Sequence, residues 1–193
     1  MNPFITFEKV LEIYISKLSI KDLERRWNEP HRHYHNIDHL TTILKEIEKT
    51  PGFKELNVYA KHALLLVAFF HDAVYNPKKD DNEEQSVKLF LKDFGGNLVM
   101  SDTVCSLIMT TKYRRRPLTK LKKMFWEADN AGFKKGYTSL MKSEKLIQKE
   151  YSHVPKEKFR EAKIKFLESN FGLFGLKVDN DLKKVIKYYQ NKF

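Results

Sequence analysis

The stretch "LNVYAKHALLLVAFFHDAVY", residues 56–75, begins with polar positions and becomes apolar on nearly every face towards its end. A helix that is hydrophobic all round has no side to offer water, so it must run through the middle of a core. Its most apolar part, "ALLLVAFF", is far too short to span a bilayer, which needs about 20 such residues. The pattern therefore predicts a central buried helix that terminates at the pair His71 and Asp72. Working outward, apolar residues recur at helical spacing at Phe4, Phe7, Val10, Leu11 and Tyr14, and again at Leu40, Ile43, Leu44 and Ile47. Further helical patterns cover about 82–94, 99–112, 118–131, 134–151, 156–169 and 179–191, with Pro117 and Pro155 near two of the starts. Asp81 is placed to cap the first of these, with Glu84 as its capping-box partner. Strand alternation, internal repeats and linkers are absent from the pattern. The expected architecture is all-α, one helical bundle spanning residues 1–193 as a single domain.

Composition agrees with that reading and narrows the partners. Seven Gly and six Pro against 32% charged residues favour long helices over a turn-rich β architecture. The single Cys105 excludes an internal disulfide and reads as a small core residue. With no signal-peptide pattern at its start and no membrane span, the chain is expected to be cytoplasmic. A formal charge of +11 draws anions: nucleotides, nucleic acid or acidic headgroups. Nucleic acid is suggested by charge alone, since no aromatic-rich platform for single strands is evident along the chain.

Chemistry concentrates in two places. Four of the seven histidines, His31, His33, His35 and His39, lie within "HRHYHNIDHL", residues 31–40. At the end of the core helix, an ionised Asp72 would be costly to desolvate unless paired, hydrogen-bonded or bound to a cation, and the adjacent His71 makes a cation the economical explanation. Neighbouring helical residues point about 100° apart, so both reach one ion only at a helix end or bend. His35 and His39, four apart on one helix face, offer a separate two-histidine clip as an alternative.

The motifs "HRHYHNIDHL", "AFFHDAVYNP" and "DNEEQS", followed by Asp129 in "FWEADNAGF", together resemble the HD-domain superfamily, in particular a bacterial group of metal-dependent phosphohydrolases. The resemblance runs from about residue 25 to 170 and implies an HD-type helical bundle. It implies that His35, His71, Asp72 and Asp129 hold one divalent ion, of which Mn, Fe, Co, Ni, Zn and Mg are candidates. Imidazole donors favour a transition metal over Mg. It further implies hydrolysis of a phosphate ester or anhydride in a small phosphorylated substrate, such as a nucleotide, with Asp72 able to take a proton from water. His39 would then support a ligand or touch phosphate. Two places depart from the pattern: "TTKYRRRP" lacks a histidine that relatives commonly carry, and "WEADN" replaces Leu-Asp-Ala-Asp-Leu.

Several residues carry two readings each. Glu83 either relays a proton or serves the helix N-terminus electrostatically. His31 is either a loop residue or a substrate contact. Lys112 and Arg114, in the cationic run 112–123, suit phosphate contact, although such runs are also ordinary solvated faces. A metal-containing nucleotide-binding or regulatory module without turnover is the alternative to an enzyme.

Overall fold

The computed structural model describes residues 2–113 and 116–191, and among these the chain is all-α, without strands. No helix is long and apolar enough to cross a membrane among the described residues. The helices gather into two compact units, the first from residues 1–113 and 117–129, the second chiefly from residue 130 onward.

In the first unit the order is α1 (Pro3–Leu11), α2 (Lys17–Trp27), α3 (Ile37–Lys49), α4 (Val58–Phe70), α5 (Asn82–Asp93), α6 (Leu98–Ile108) and α7 (Lys120–Asp129). The apolar run becomes α4, where every residue from Ala63 to Phe70 is buried. Helices α3, α5, α6 and α7 all pack against it. Each of α1, α2, α3, α4 and α6 starts on an Asn or Ser whose side chain accepts a backbone N–H of the first turn. Asn36 does this for Asp38 and His39, which sets the angle at which the histidine cluster enters α3.

The expected capping box at α5 does not form. Asp81 Oδ2 accepts from Gln85 Nε2 at 2.7 Å, and the Glu84 carboxylate pairs with Lys112, so neither closes on the backbone. Glu84 turns to Lys112, a full opposite charge brought to it by the packing of the chain. The Asn82 side chain instead ties Asn76 at both backbone atoms, closing the loop before α5.

Helix α2 has only Ile20, Leu23 and Trp27 on its buried side, which is a thin apolar signal. Trp27 anchors it: fully buried, it donates Nε1–H to the Phe69 carbonyl at 2.9 Å. Carbonyls in the last turn of a helix lack helical partners, so the indole satisfies a group that α4 cannot. Trp27→Phe retains most of the ring and orphans that carbonyl. We expect it to cost about 1–2 kcal/mol, read as a lower urea midpoint at unchanged slope.

The second unit contains a 3₁₀ segment (Asn130–Lys135), α8 (Tyr137–Glu150), α9 (Lys156–Glu168) and α10 (Leu176–Asn191). Its own core is formed by Leu140, Phe159, Leu167, Val178, Leu182, Val185, Ile186 and Tyr189. A buried ionic group sits in it: Lys163 Nζ lies 2.9 Å from Glu144, whose other oxygen accepts the Tyr189 hydroxyl at 3.0 Å.

Candidate metal centre

Helix α4 stops at His71 because the chain turns there, and the turn aims both members of the His71–Asp72 pair to one side. His71 is 1% exposed and its Nδ1 faces the Ala68 carbonyl at 3.0 Å. A carbonyl only accepts, so Nδ1 carries the hydrogen and Nε2 is left as the free ring nitrogen. That Nε2 is fully buried and makes no well-aligned hydrogen bond among the described residues. It stands 3.3 Å from Asp72 Oδ2 and 3.7 Å from Asp129 Oδ1.

Asp129 comes from the end of α7, which packs on both α3 and α4. Its Oδ1 is also 3.3 Å from His39 Nε2. His39, His71 and Asp72 each present a ligand atom within 4.8 Å of the others, a spacing one cation can bridge. The imidazoles are the buried part of this cluster. Asp72 and Asp129 keep 18% and 20% of their side chains exposed, so the carboxylate side is the one that solvent reaches.

His35 stands beside the same group. Its ring is 5.6 Å from that of His39 and stacks on Tyr75 at 4.4 Å. It stands, with His39, close enough to favour the ionised form of Asp72. The structure thus brings His35, His39, His71, Asp72 and Asp129 into one neighbourhood.

The electrostatics show what the neighbourhood favours. Burial pushes the His71 imidazole towards neutrality, but the carboxylates of Asp72 and Asp129 outweigh it and its pKa is pushed up to about 9. Burial also resists ionisation of Asp72, yet His71, His35 and His39 hold its carboxyl far below the usual carboxylate range. Each group is ready to be charged because the other is, which marks a pocket that stabilises added positive charge. A buried imidazole nitrogen flanked by two carboxylates, with a second imidazole beside them, fits a divalent cation with mixed nitrogen and oxygen ligands, which would take the place of the proton the carboxylates favour on Nε2.

Other predicted site residues lie around this centre. Burial raises the Glu83 carboxyl, the Asp72 charge adds to the effect, and Lys112 opposes it. Lys112 itself bonds Glu84 and the Asp80 carbonyl, holding the start of α5. His31 faces the Tyr75 carbonyl through Nε2 at 2.9 Å. Arg114 lies outside the described residues.

Arg32 is the residue that sequence reasoning missed. Its side chain is 0% exposed, and its guanidinium lies against the rings of Trp27 and Tyr75. It donates to the carbonyls of His35 at 3.1 Å, Asp72 at 2.7 Å and Ala73 at 3.1 Å, and to Glu29 at 3.1 Å. One fork thus fastens the histidine loop to the turn after α4. A single Arg among histidines carries no local pattern, and the only available signal was its place in an aromatic-flanked loop.

Family models, curated proteins and solved structures provide no match to this chain.

Proposed function

We propose that the protein is a metal-dependent phosphohydrolase of the HD type, acting on a small phosphorylated substrate such as a nucleotide. The observation that carries the reading is the buried His71 Nε2, without a well-aligned hydrogen bond and set between the carboxylates of Asp72 and Asp129. His71, Asp72 and Asp129, with the imidazoles of His35 and His39, would hold the ion. When bound, such an ion supplies Lewis acidity to a phosphoryl oxygen and makes water acidic enough to attack near neutral pH.

The chain's own residues do the rest. The Ala68 carbonyl holds His71 in one tautomer, and Arg32 holds the backbones of residues 35 and 72 in register. Glu83, whose carboxyl burial raises, is the group suited to take a proton from the attacking water, while Asp72, held ionised by the imidazoles around it, stays a ligand beside that water. Lys112, held by Glu84 and the Asp80 carbonyl, keeps a positive charge within range of Glu83.

Phosphate release from a panel of nucleotides, dinucleotides and sugar phosphates, with transition metal supplied, tests the proposal. At least one compound should be hydrolysed, and a chelator or Asp72→Ala should stop the reaction. Tight binding without hydrolysis across the panel would identify a nucleotide-holding module instead. With a substrate in hand, Glu83→Gln should lower kcat about a hundredfold while metal content stays at the wild-type level. An unchanged kcat would leave Glu83 with only its helix N-terminal role.

A further inference from the structure

The protein's positive charge is not spread over the molecule. Residues 1–113 and 117–129, the unit with the metal centre, hold 18 Lys and Arg against 18 Asp and Glu. Residues 130–193 hold 15 against seven. Folding sharpens the imbalance, because Glu144, Glu150 and Asp181 are buried at 4%, 4% and 8% exposure. Along α8, Lys142, Lys145 and Lys149 are all exposed, whereas both acidic residues of that helix turn inward. After Asp181, α10 carries Lys183, Lys184 and Lys187, all exposed, with no acidic residue following.

An open groove of about 550 Å³ lies within this unit, lined by Tyr137, Lys184, Lys187, Tyr188 and Asn191. Tyr137 and Tyr188 are far apart in sequence and meet only because α8 packs on α10. Lys184 Nζ lies 6.0 Å over the Tyr137 ring and 3.1 Å from Asp181 Oδ1. Half-buried tyrosine rings beside exposed lysines, of which Lys184 also pairs with Asp181, suit a chain of bases joined by phosphates: rings stack on bases, and lysines neutralise the backbone. A lipid surface gripped by inserted apolar side chains would find none in the groove, whose lining is tyrosines, lysines and an asparagine.

We propose that this groove, with the lysine faces of α8 and α10, binds single-stranded nucleic acid. The proposal is independent of the metal centre and its chemistry. It is tested on the full chain by fluorescence anisotropy with a labelled oligothymidylate of about 15 nucleotides, over a range of salt concentrations. Binding should weaken steeply as salt rises. Lys184→Glu with Lys187→Glu should weaken it about tenfold or more at fixed salt, and Tyr188→Leu should weaken it about threefold to tenfold, with helical content unchanged by circular dichroism. Lys9→Glu with Lys21→Glu makes the same change of net charge on exposed residues of the first unit and should leave affinity within about twofold. Equal losses from both lysine pairs would reduce the effect to net charge and overturn the proposal. So would the absence of binding at low salt, or tighter binding to phosphatidylserine vesicles than to the oligonucleotide.

Discussion

Arg32→Ala should destabilise the protein by about 3–5 kcal/mol, the range expected when one partner of a buried ionic network is removed. The substitution leaves the carbonyls of His35, Asp72 and Ala73 without their shared donor and the Glu29 carboxylate with only Arg25 and His31 at 4.0 and 3.8 Å. It also opens a void between Trp27 and Tyr75, whose rings lie 5.5 and 5.4 Å from the guanidinium carbon. Lysine cannot replace it, since one ammonium cannot present a planar fork to carbonyls from two segments. Arg32→Lys should therefore recover only a minor part of the loss. Arg25→Ala, which removes a 62% exposed guanidinium paired with Asp22, should stay within about 1 kcal/mol. Thermal melts of the three variants check the ranking, and Arg32→Ala melting like Arg25→Ala would contradict it. Because Arg32 holds the backbone at residues 35 and 72, metal affinity should fall about tenfold or more even under conditions where the variant is folded.

The second large effect concerns the ligands themselves. A cation that binds only the folded state stabilises it by mass action, by about 2.7 kcal/mol when present at a hundred times its dissociation constant. Adding Mn, Co, Ni or Zn to chelator-treated wild type should raise the melting temperature, with a plateau set by saturation. His71→Ala and Asp72→Ala should each remove most of that rise. His71 is 1% exposed, and its replacement leaves a cavity that lowers the baseline melting point as well. Asp72→Asn keeps the volume and removes the charge, so it separates loss of the ion from loss of packing. A full metal-induced rise in Asp72→Asn would remove Asp72 from the ligand set. His35→Ala and His39→Ala, compared in the same assay, divide the imidazole contribution between the two.

What the sequence made legible follows from how local each signal is. An unbroken apolar run must be buried, and helical spacing through the rest of the chain made it a helix rather than a strand, so α4 and its end at His71 were readable from the sequence. The helical spacing of Leu40, Ile43, Leu44 and Ile47 likewise marked α3, all four of them buried. The meeting of Asp129 with His39 and His71 is different in kind, because it depends on α7 packing across α3 and α4. No spacing along the chain encodes that. Arg32 was invisible for a related reason: the partners that fasten it to the turn after α4 are backbone carbonyls 40 and 41 residues away, and backbone atoms leave no mark in a sequence. The capping box at α5 was a legible pattern that tertiary structure overrode, with Lys112 taking Glu84 from 28 residues away. Charge was legible as a total of +11, but its concentration in the second unit and the inward turn of that unit's carboxylates required the fold.

Elemental analysis of protein purified without added metal or chelator addresses the centre most directly. About one transition-metal ion per chain is the predicted content, falling to a small fraction of that in both His71→Ala and Asp72→Ala. A wild-type protein that carries no divalent metal and takes none up on dialysis, or variants that keep the full complement, would contradict the metal centre at the end of α4.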